Sequence, residues 1–471
     1  MNEIRMMNIN RRTLLKLFGL TAFTGPLAWA HVQGLDSDED VQFMKKEHKR
    51  FDVYRRLFNK RFNAKPHIIA VCKTELGVQK AVKYADQHGL NINIKSGGHS
   101  FEGFSLNHGG MVIDLSQMNS LKLDNDHGLV ADPAVSLAQL YHYCLPKGRL
   151  LPSGSCASVG LSGITLGGGY GLFSRQFGLT CDYLTGVRLV DVKGNVIDSD
   201  ELPELLWACR GAGNGNFGVI TQLRFKTVNA PTTLYQHRFR AYKLTPKKAA
   251  HLAKFWFKQC DTLPNHAFSA FVLNRDTLTI MLTATEHDEE MEQVLSTFNG
   301  VMDKNDRLKP DPIEIGVQYY YGHNKPLFFK NISAGYYQSF KDIEACAEAL
   351  FTQVADTPGA IFQINTLGGE INNMARVEGS AYAHRNASYL AEAQCSWSSS
   401  DAEKRSMEAM KNIQNTLYNN KVTQHYINYP DLNIKQYETA YYGNSYARLQ
   451  QLKKELDPEN RFNYEQSIAL D

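Results

Sequence analysis

The sequence predicts an α+β fold with at least two domains. At 471 residues the chain is too long for one ordinary core. Its composition, 43% hydrophobic and 21% charged, is typical of a globular protein. Short apolar runs that suit strands alternate with helix-like segments, and glycine-rich loops follow several of these runs. We expect a first domain over residues 64–226 and a second, a sheet covered by helices, over residues 227–424.

The elements of the first domain are predicted from local patterns. Residues 67–71 form an apolar run that suits a buried strand, and Thr74 suits the N-cap of a following helix that ends before Gly89. Further strands are predicted at residues 92–95, 111–115 and 219–225. Residues 31–63 are polar and charged, so we expect a helical or irregular lead-in to this domain.

The second domain differs from the first in composition. Residues 227–424 contain helix-like and strand-like stretches but no glycine loop of the kind that binds phosphate. A helix is predicted over residues 249–260, close to the start of this domain. Residues 425–471 then form a separate C-terminal segment.

Charge and cysteine spacing exclude several classes of function. The net charge is +3, from 51 basic and 48 acidic residues, and no basic block is long enough for a nucleic-acid surface. We therefore expect a small-molecule partner and no nucleic acid. The eight cysteines show neither a CxxC pair nor regular spacing, so they predict no metal site and no dense disulfide framework. One or two disulfides are possible after export, but the sequence does not show which cysteines would pair.

The N-terminus has the pattern of an export signal. Arg11 and Arg12 precede a short apolar run over residues 17–30, which closes on Ala28-Trp29-Ala30, a small-x-small cleavage pattern. Paired arginines before such a run resemble a twin-arginine signal. The run is shorter than the ~20 residues that a membrane span needs. We predict a signal peptide at residues 1–30, a periplasmic or secreted protein and no stable membrane span; an amphipathic helix or an uncleaved anchor is the alternative.

Two glycine-rich loops carry the clearest functional signal. The first contains His99 within Ser-Gly-Gly-His-Ser, and the second contains Cys156 and continues through a glycine run at residues 167–171. Glycine has no Cβ and accepts positive φ, so such loops allow backbone to approach a flat, charged ligand closely. Each loop thus presents one nucleophilic side chain, imidazole or thiol, beside that ligand surface.

In this order, the two loops resemble those of the berberine-bridge-enzyme-like flavoprotein oxidoreductases. The resemblance implies a two-part FAD-binding domain of the PCMH/VAO type, a sheet-and-helix substrate domain, and a C-terminal segment that returns to the FAD domain. It also implies FAD that is bonded to His99 through its 8α carbon and to Cys156 through its C6 carbon. Residues 213–218 satisfy GxGxxG, but a strand is predicted after them, which excludes a nicotinamide-binding fold.

The same resemblance supplies a set of FAD-binding residues. They are Ser96, Gly97, Gly98 and Ser100 beside His99, then Val159, Gly160, Gly163, Gly167, Gly168, Gly169 and Gly171 after Cys156, and finally Gly218, Val219, Asn460 and Phe462. In the family the position of Val159 is thought to control the access of oxygen to the reduced flavin. A small side chain there indicates an oxidase that forms hydrogen peroxide.

Hydride transfer to FAD requires a base for the substrate hydroxyl proton. By resemblance the candidate is Tyr429, with Tyr426 and Gln363 as further catalytic residues. Carbohydrate-oxidising members place a carboxylate two residues after the glutamine, where this chain has Asn365. An amide cannot take the proton, so either another group assists Tyr429 or the reaction differs.

A second departure from the family concerns Phe101, which stands where a tyrosine is frequent. It removes a hydroxyl from the pocket, which would cost a sugar about 1 kcal/mol of hydrogen bonding. We predict an FAD-dependent oxidase acting on an alcohol or carbohydrate hydroxyl, with O2 reduced to H2O2. The alternatives are a natural-product-tailoring flavin oxidase, a dehydrogenase with a non-oxygen acceptor, and an exported FAD-carrying binding protein without activity.

Overall fold

The computed structural model describes residues 37–124, 126, 128–307, 310–323 and 325–470. The predicted signal peptide, residues 1–30, lies outside the described residues. Within them, helices alternate with strands that form separate sheets, so the predicted α+β class is confirmed.

The first sheet carries the loop that contains His99. Its strands are β1 (Val41–Met44), β2 (Ile68–Cys72), β3 (Ile92–Lys95) and β4 (Met111–Asp114), in the order β1-β2-β4-β3. Strands β2 and β3 run parallel to β4, and β1 runs antiparallel to β2. The expectation of a helical or irregular lead-in is wrong for β1, because Val41 and Met44 are completely buried there.

The helix that connects β2 to β3 follows the sequence prediction closely. After the short α1 (Phe51–Tyr54), α2 runs over Glu75–Gln87. The Thr74 hydroxyl accepts a hydrogen bond from the Gly77 backbone N–H at 3.0 Å, which is the predicted N-cap. The helix ends before Gly89, whose φ of +64° suits glycine. This β-α-β unit ends in β3, and β3 delivers the His99 loop.

The second sheet has the strand order β5-β6-β10-β8-β9. Its strands are β5 (Leu121–Leu123), β6 (Gly128–Ala131), β8 (Leu184–Val190), β9 (Val196–Asp198) and β10 (Val219–Lys226). Beside it, β7 (Arg149–Leu150) pairs with β11 (Val228–Asn229). Strand β10 begins directly after Gly218, so the strand predicted to follow GxGxxG is confirmed.

A large antiparallel sheet forms the second part of the fold, in the order β15-β12-β14-β13-β18-β19-β17. Its strands are β12 (Thr233–Ala241), β13 (Ala267–Asn274), β14 (Thr277–Ala284), β15 (Lys304–Arg307), β17 (Phe328–Tyr337), β18 (Ala360–Thr366) and β19 (Tyr389–Trp397), and β16 (Asp311–Pro312) pairs with β12. Alternation gives it two faces. In β18, Phe362 and Ile364 enter the core while Gln363 and Asn365 line a cavity.

Helices cover the apolar face of this sheet, as predicted. The remaining helices are α3 (Leu137–Cys144), α4 (Leu161–Leu166), α5 (Ser174–Phe177), α6 (Pro203–Cys209), α7 (Pro246–Cys260), α8 (Glu289–Thr297), α9 (Ile313–Gly316), α10 (Lys341–Glu344), α11 (Ala347–Asp356), α12 (Ser400–Asn419), α13 (Tyr437–Tyr442) and α14 (Tyr446–Leu456). Trp256 of α7, Leu350 of α11 and Ile413 of α12 share one core with the sheet. Among the described residues, no helix combines the length and apolar character needed to cross a membrane.

The C-terminal segment packs with the second sheet. Tyr442 of α13 and Leu449 of α14 belong to the same hydrophobic core as Val187 of β8 and Leu223 of β10. This is the return toward the first part of the chain that the resemblance implies. It brings residues 425–430 beside the two glycine loops.

Candidate active site

A large cavity is lined by both glycine loops, by β18 and β19, and by residues 426–430. Its volume is about 1200 Å³, above the ~300–1,000 Å³ of most small-ligand pockets. It therefore has room for a ligand larger than most single small molecules. Three parts of the chain that are distant in sequence meet here.

The cavity collects most of the predicted site residues. Those that line it are Ser96, Gly97, Gly98, His99, Ser100, Cys156, Val159, Gly160, Gly163, Gly171, Gly218, Gln363, Tyr426 and Tyr429. The predicted residues that are not part of its lining are Gly167, Gly168, Gly169, Val219, Asn460 and Phe462. Two sets of these residues, the three glycines and the pair Asn460 and Phe462, have an identifiable role behind the cavity wall.

The glycine run makes room for the C-terminal segment. A Cβ at Gly167 would lie 2.2 Å from the side-chain oxygen of Asn428. The backbone N–H of Gly169 donates a hydrogen bond to the Tyr426 hydroxyl at 2.9 Å, and Asn428 Nδ2 donates to the same oxygen at 2.9 Å. The Tyr426 hydroxyl is thus held by the fold, and the run positions the segment that carries Tyr429.

Asn460 and Phe462 belong to the turn that follows α14. Asn460 has a φ of +51°, and the Phe462 carbonyl accepts a hydrogen bond from the buried Lys453 ammonium at 2.7 Å. After this turn the chain reaches the cavity at Tyr464 and Gln466. These two lining residues are absent from the sequence prediction.

His99 has the protonation state of a nucleophile. Burial lowers the pKa of His99 to about 4, so its imidazole is neutral at pH 7. The Ser158 backbone interacts with one ring nitrogen and opposes that shift. The other nitrogen of a neutral ring keeps its lone pair and can attack an electrophile.

Cys156 is half-buried on the cavity wall. Burial raises the pKa of Cys156, and the charge of Glu392 raises it further, so the sulfur is a thiol at neutral pH. Each of the eight cysteines lies within the described residues and is a free thiol. The one or two disulfides left open by the sequence are therefore not formed in this structure.

A chain of hydrogen bonds leads from the large sheet to Tyr429. Gln363 Nε2 donates to Asn365 Oδ1 at 2.8 Å, and Asn365 Nδ2 donates to the Tyr170 hydroxyl at 3.1 Å. The Tyr170 hydroxyl is in turn bonded to the Tyr429 hydroxyl. Because the Asn365 amide occupies a lone pair of the Tyr170 oxygen, the Tyr170 hydrogen can point to Tyr429. Either hydroxyl of the Tyr170–Tyr429 pair can be the donor.

Glu392 lies beside the end of this chain and is a functional candidate missed in the sequence. Its carboxylate interacts electrostatically with Tyr429, and its Oε2 accepts a hydrogen bond from Asn331 Nδ2 at 2.7 Å. Glu392 stands opposite Gln363 in the pairing of β18 with β19. Strand β19 therefore provides the carboxylate that β18 lacks at Asn365.

The pKa shifts separate the roles of these two groups. Burial and the neighbouring Glu392 raise the pKa of Tyr429 well above its ordinary value, so the phenol keeps its proton at neutral pH. Burial also raises the pKa of Glu392, and the hydrogen bond from Asn331 and the interaction with Tyr429 oppose that shift. Tyr429 can therefore relay a proton, and Glu392 is the group that can keep it.

Aromatic rings form an apolar wall next to these polar groups. Phe101 stacks on Tyr429 with ring centres 5.5 Å apart and an interplanar angle of 26°. Phe329 meets Phe101 edge-on at 5.6 Å. Because Gln394 lies on the same cavity as Glu392, a bound molecule would meet apolar rings on one side and amide and carboxylate groups on another.

The residues of the cavity fit FAD. A Cβ at Gly97 would lie only 2.5 Å from the Gly160 nitrogen, so the two loops need glycine to meet. Asn214 lines the cavity and its Oδ1 is buried without a hydrogen-bond partner among the described residues, so a polar ligand could satisfy it. His99 and Cys156 would hold the cofactor. When bound, FAD would accept a hydride from a substrate carbon.

Fold and cavity define a flavin-binding oxidoreductase, and comparison with known proteins gives the family. A family described as "FAD binding domain" matches residues 66–200, and one described as "Berberine and berberine like" matches residues 425–469. The predicted resemblance to the berberine-bridge-enzyme-like FAD-linked oxidoreductases is confirmed, since the chain carries both of their domains. The PCMH/VAO-type FAD-binding fold predicted from the sequence is confirmed.

Three individual proteins illustrate the similarity. The FAD-linked oxidoreductase YgaK of Bacillus subtilis is 28% identical over 426 residues, which cover 86% of this chain and 91% of that protein. The (R)-6-hydroxynicotine oxidase of Paenarthrobacter nicotinovorans is 36% identical over 185 residues, 38% of this chain and 40% of that enzyme. The structure of Physcomitrella patens BBE-like 1 matches with a TM-score of 0.83 and 25% identity. The match covers 92% of this chain and 97% of that chain.

Replacing Glu392 tests its role as proton acceptor. We expect Glu392→Gln to slow anaerobic flavin reduction by about 100-fold or more, because the relay then has no group that keeps the proton. The rate is measured by stopped-flow absorbance with any substrate that bleaches the wild-type flavin. In the wild type the rate should rise with pH as Glu392 ionises, with a midpoint above the ordinary glutamate value of about 4.3.

The matched control is Glu348→Gln, the same change at an exposed position in α11. It should leave both the rate and its pH dependence as in the wild type. If Glu392→Gln reduces its flavin at the wild-type rate with the same pH midpoint, Glu392 is not the acceptor.

Proposed function

We propose that this protein is an FAD-dependent oxidase that removes hydride from the carbon of an alcohol or a carbohydrate hydroxyl. FAD is bonded to His99 and Cys156, and dioxygen accepts the electrons and leaves as hydrogen peroxide. The observation that carries the proposal is the neighbouring pair Tyr429 and Glu392, which interact electrostatically and both line the cavity of an FAD-linked oxidoreductase. A hydroxyl substrate needs such a pair, because its proton must leave as the hydride does.

The residues of the chain divide the proton transfer between them. The substrate hydroxyl donates its proton to the Tyr429 oxygen while Tyr429 passes its own proton to the Glu392 carboxylate. Asn331 donates to the other side of that carboxylate and holds it in place. Because the Tyr170 hydroxyl is hydrogen-bonded to Tyr429 and accepts a hydrogen bond from Asn365, the Tyr429 oxygen is held in place during the transfer.

The cavity supports a substrate with one apolar face and several hydroxyls. Phe101 and Phe329 provide a flat apolar surface. The face of a sugar ring or the ring of an aromatic alcohol could pack against it. Gln363 and Gln394 offer amide groups that can both donate and accept hydrogen bonds. The absence of a hydroxyl at Phe101 makes this wall more suitable for a carbon–hydrogen surface than for another polar contact.

The proposed use of oxygen rests on Val159. This small side chain lies on the cavity wall in the loop of Cys156, and its backbone N–H donates to the Cys156 carbonyl at 3.2 Å. A valine there leaves space beside the cofactor through which a diatomic gas can reach it. A dehydrogenase that uses a non-oxygen acceptor would have the same proton relay, so the relay does not distinguish the two.

An anaerobic and aerobic comparison tests the reaction. Purified protein is mixed with mono- and oligosaccharides and with aromatic and aliphatic alcohols, first without oxygen, and bleaching of the oxidised flavin is followed. We expect at least one compound to bleach the flavin, and air to restore its colour with one hydrogen peroxide per turnover. Bleaching with slow recovery in air, but fast recovery with a quinone, would identify a dehydrogenase. Binding without bleaching by any compound would contradict an oxidoreductase role.

We also propose that the protein is exported in folded form. Arg11 and Arg12 supply the paired arginines of a twin-arginine signal ahead of the apolar run at residues 17–30. A cofactor that is bonded in the cytoplasm must cross the membrane inside a folded chain. A covalent bond is also useful after export, because lost FAD could not be replaced outside the cell.

The paired arginines can be tested by conservative replacement. The double variant Arg11→Lys and Arg12→Lys keeps the charge, yet we expect it to leave the precursor in the cytoplasm because the receptor reads the arginine pair. Cell fractionation followed by immunoblotting measures the distribution. Arg5→Lys, the same change outside the pair, should be exported normally. Normal export of the double variant would exclude this route.

A further inference from the structure

We propose that Phe58 is a positioning residue for flavin attachment at His99. Phe58 belongs to residues 31–63, ahead of residues 66–200 that match the FAD-binding family. The proposal rests on the proposed function in one respect, because it requires that His99 carries the flavin. It assigns a role in cofactor attachment to a segment that the sequence analysis treats only as a lead-in.

The Phe58 ring lies against the His99 imidazole. Their ring centres are 4.3 Å apart and the rings are inclined by 23°, which is a stacked arrangement. Both rings line the cavity. A stacked neighbour fixes the plane of the imidazole, and the Ser158 backbone interacts with one of its nitrogens. Together they aim the lone pair of the remaining nitrogen in one direction.

The backbone around Phe58 is tied to both sides of the cavity. The Phe58 N–H donates to the Gly98 carbonyl at 3.0 Å, next to His99, and the Phe58 carbonyl accepts from the Leu327 N–H at 3.1 Å. The adjacent Asn59 is almost fully buried, and its Nδ2 donates to the carbonyls of Phe101 and Phe329, each at 3.0 Å. These bonds hold Phe58 in place independently of its contact with His99.

Attachment is a reaction in which orientation matters. Its overall change replaces one hydrogen of the flavin 8-methyl group with an imidazole nitrogen, so that one hydrogen leaves the methyl group and one leaves the imidazole. The two electrons and two protons are accepted by dioxygen, which becomes hydrogen peroxide. A neutral, fixed imidazole is prepared for this step, whereas a freely rotating ring would seldom present its lone pair to the methyl carbon.

Three variants of Phe58 separate stacking from packing. Phe58→Leu keeps an apolar side chain of similar bulk but has no flat ring, Phe58→Ala removes both, and Phe58→Tyr keeps the ring. We expect Phe58→Leu and Phe58→Ala to slow covalent attachment by about ten-fold or more, and Phe58→Tyr to restore it. The full chain is incubated with FAD and precipitated with acid at intervals, and the flavin that remains with the protein is measured by its absorbance.

The control is Phe62→Leu, the same change four residues further along. Phe62 is half-buried like Phe58, but its ring lies over Gly103, where a Cβ would be 2.5 Å away. This variant should attach flavin at the wild-type rate. Thermal melting and the total FAD bound before precipitation are recorded for every variant, and both should stay near wild type in Phe58→Leu.

The outcomes distinguish this proposal from the proposed function. If wild-type protein carries no flavin on the peptide that contains His99, attachment itself is absent and the proposed function fails in that respect. If wild type is attached and Phe58→Leu attaches at the same rate, the positioning role is wrong while attachment at His99 stands. A loss of attachment that Phe58→Tyr does not restore would also contradict the role of the ring.

Discussion

A buried lysine joins three distant parts of this chain. The Lys330 ammonium of β17 is paired with Glu102, in the His99 loop, and with Asp431, in the C-terminal segment, at 2.7 Å from the latter. All three side chains are at most 2% exposed. Arg61 completes the cluster by pairing with Glu102 at 2.6 Å. Removing one member of such a buried group typically costs about 3–5 kcal/mol, because a charge then remains without its partner.

This cluster explains how the active-site wall is held together. Each wall ring stands close to a member of the cluster in sequence: Phe101 precedes Glu102, Phe329 precedes Lys330, and Tyr429 lies two residues before Asp431. Fixing the charges therefore holds the stack of rings in place and, through Tyr429, the start of the proposed proton relay. The catalytic geometry exists only when the FAD-binding part, the large sheet and the C-terminal segment are packed as one body.

The sequence predicts the parts of this site that are local. His99 and Cys156 can be found from the sequence because each lies in a short glycine-rich loop. Tyr429 can be found because it lies within a contiguous motif. Glu392 cannot be found in this way, because its role depends on which strand pairs with β18 and in what register. Strand pairing leaves no local signal in the sequence. Phe58 was missed for the same reason, since its contact with His99 spans two elements. The sequence predicts that the glycine run at residues 167–169 binds the cofactor, but these glycines pack against protein: a Cβ would meet Asn428 at Gly167, Tyr382 at Gly168 and Thr180 at Gly169.

We propose that His99 and Cys156 hold FAD covalently, so that Tyr429 and Glu392 would act on a fixed cofactor. The most direct test is to denature purified protein in acid, digest the washed precipitate and determine by peptide mass where flavin remains. We expect flavin mass on the peptides that contain His99 and Cys156. Full recovery of FAD in the supernatant, with both peptides unmodified, would contradict the claim.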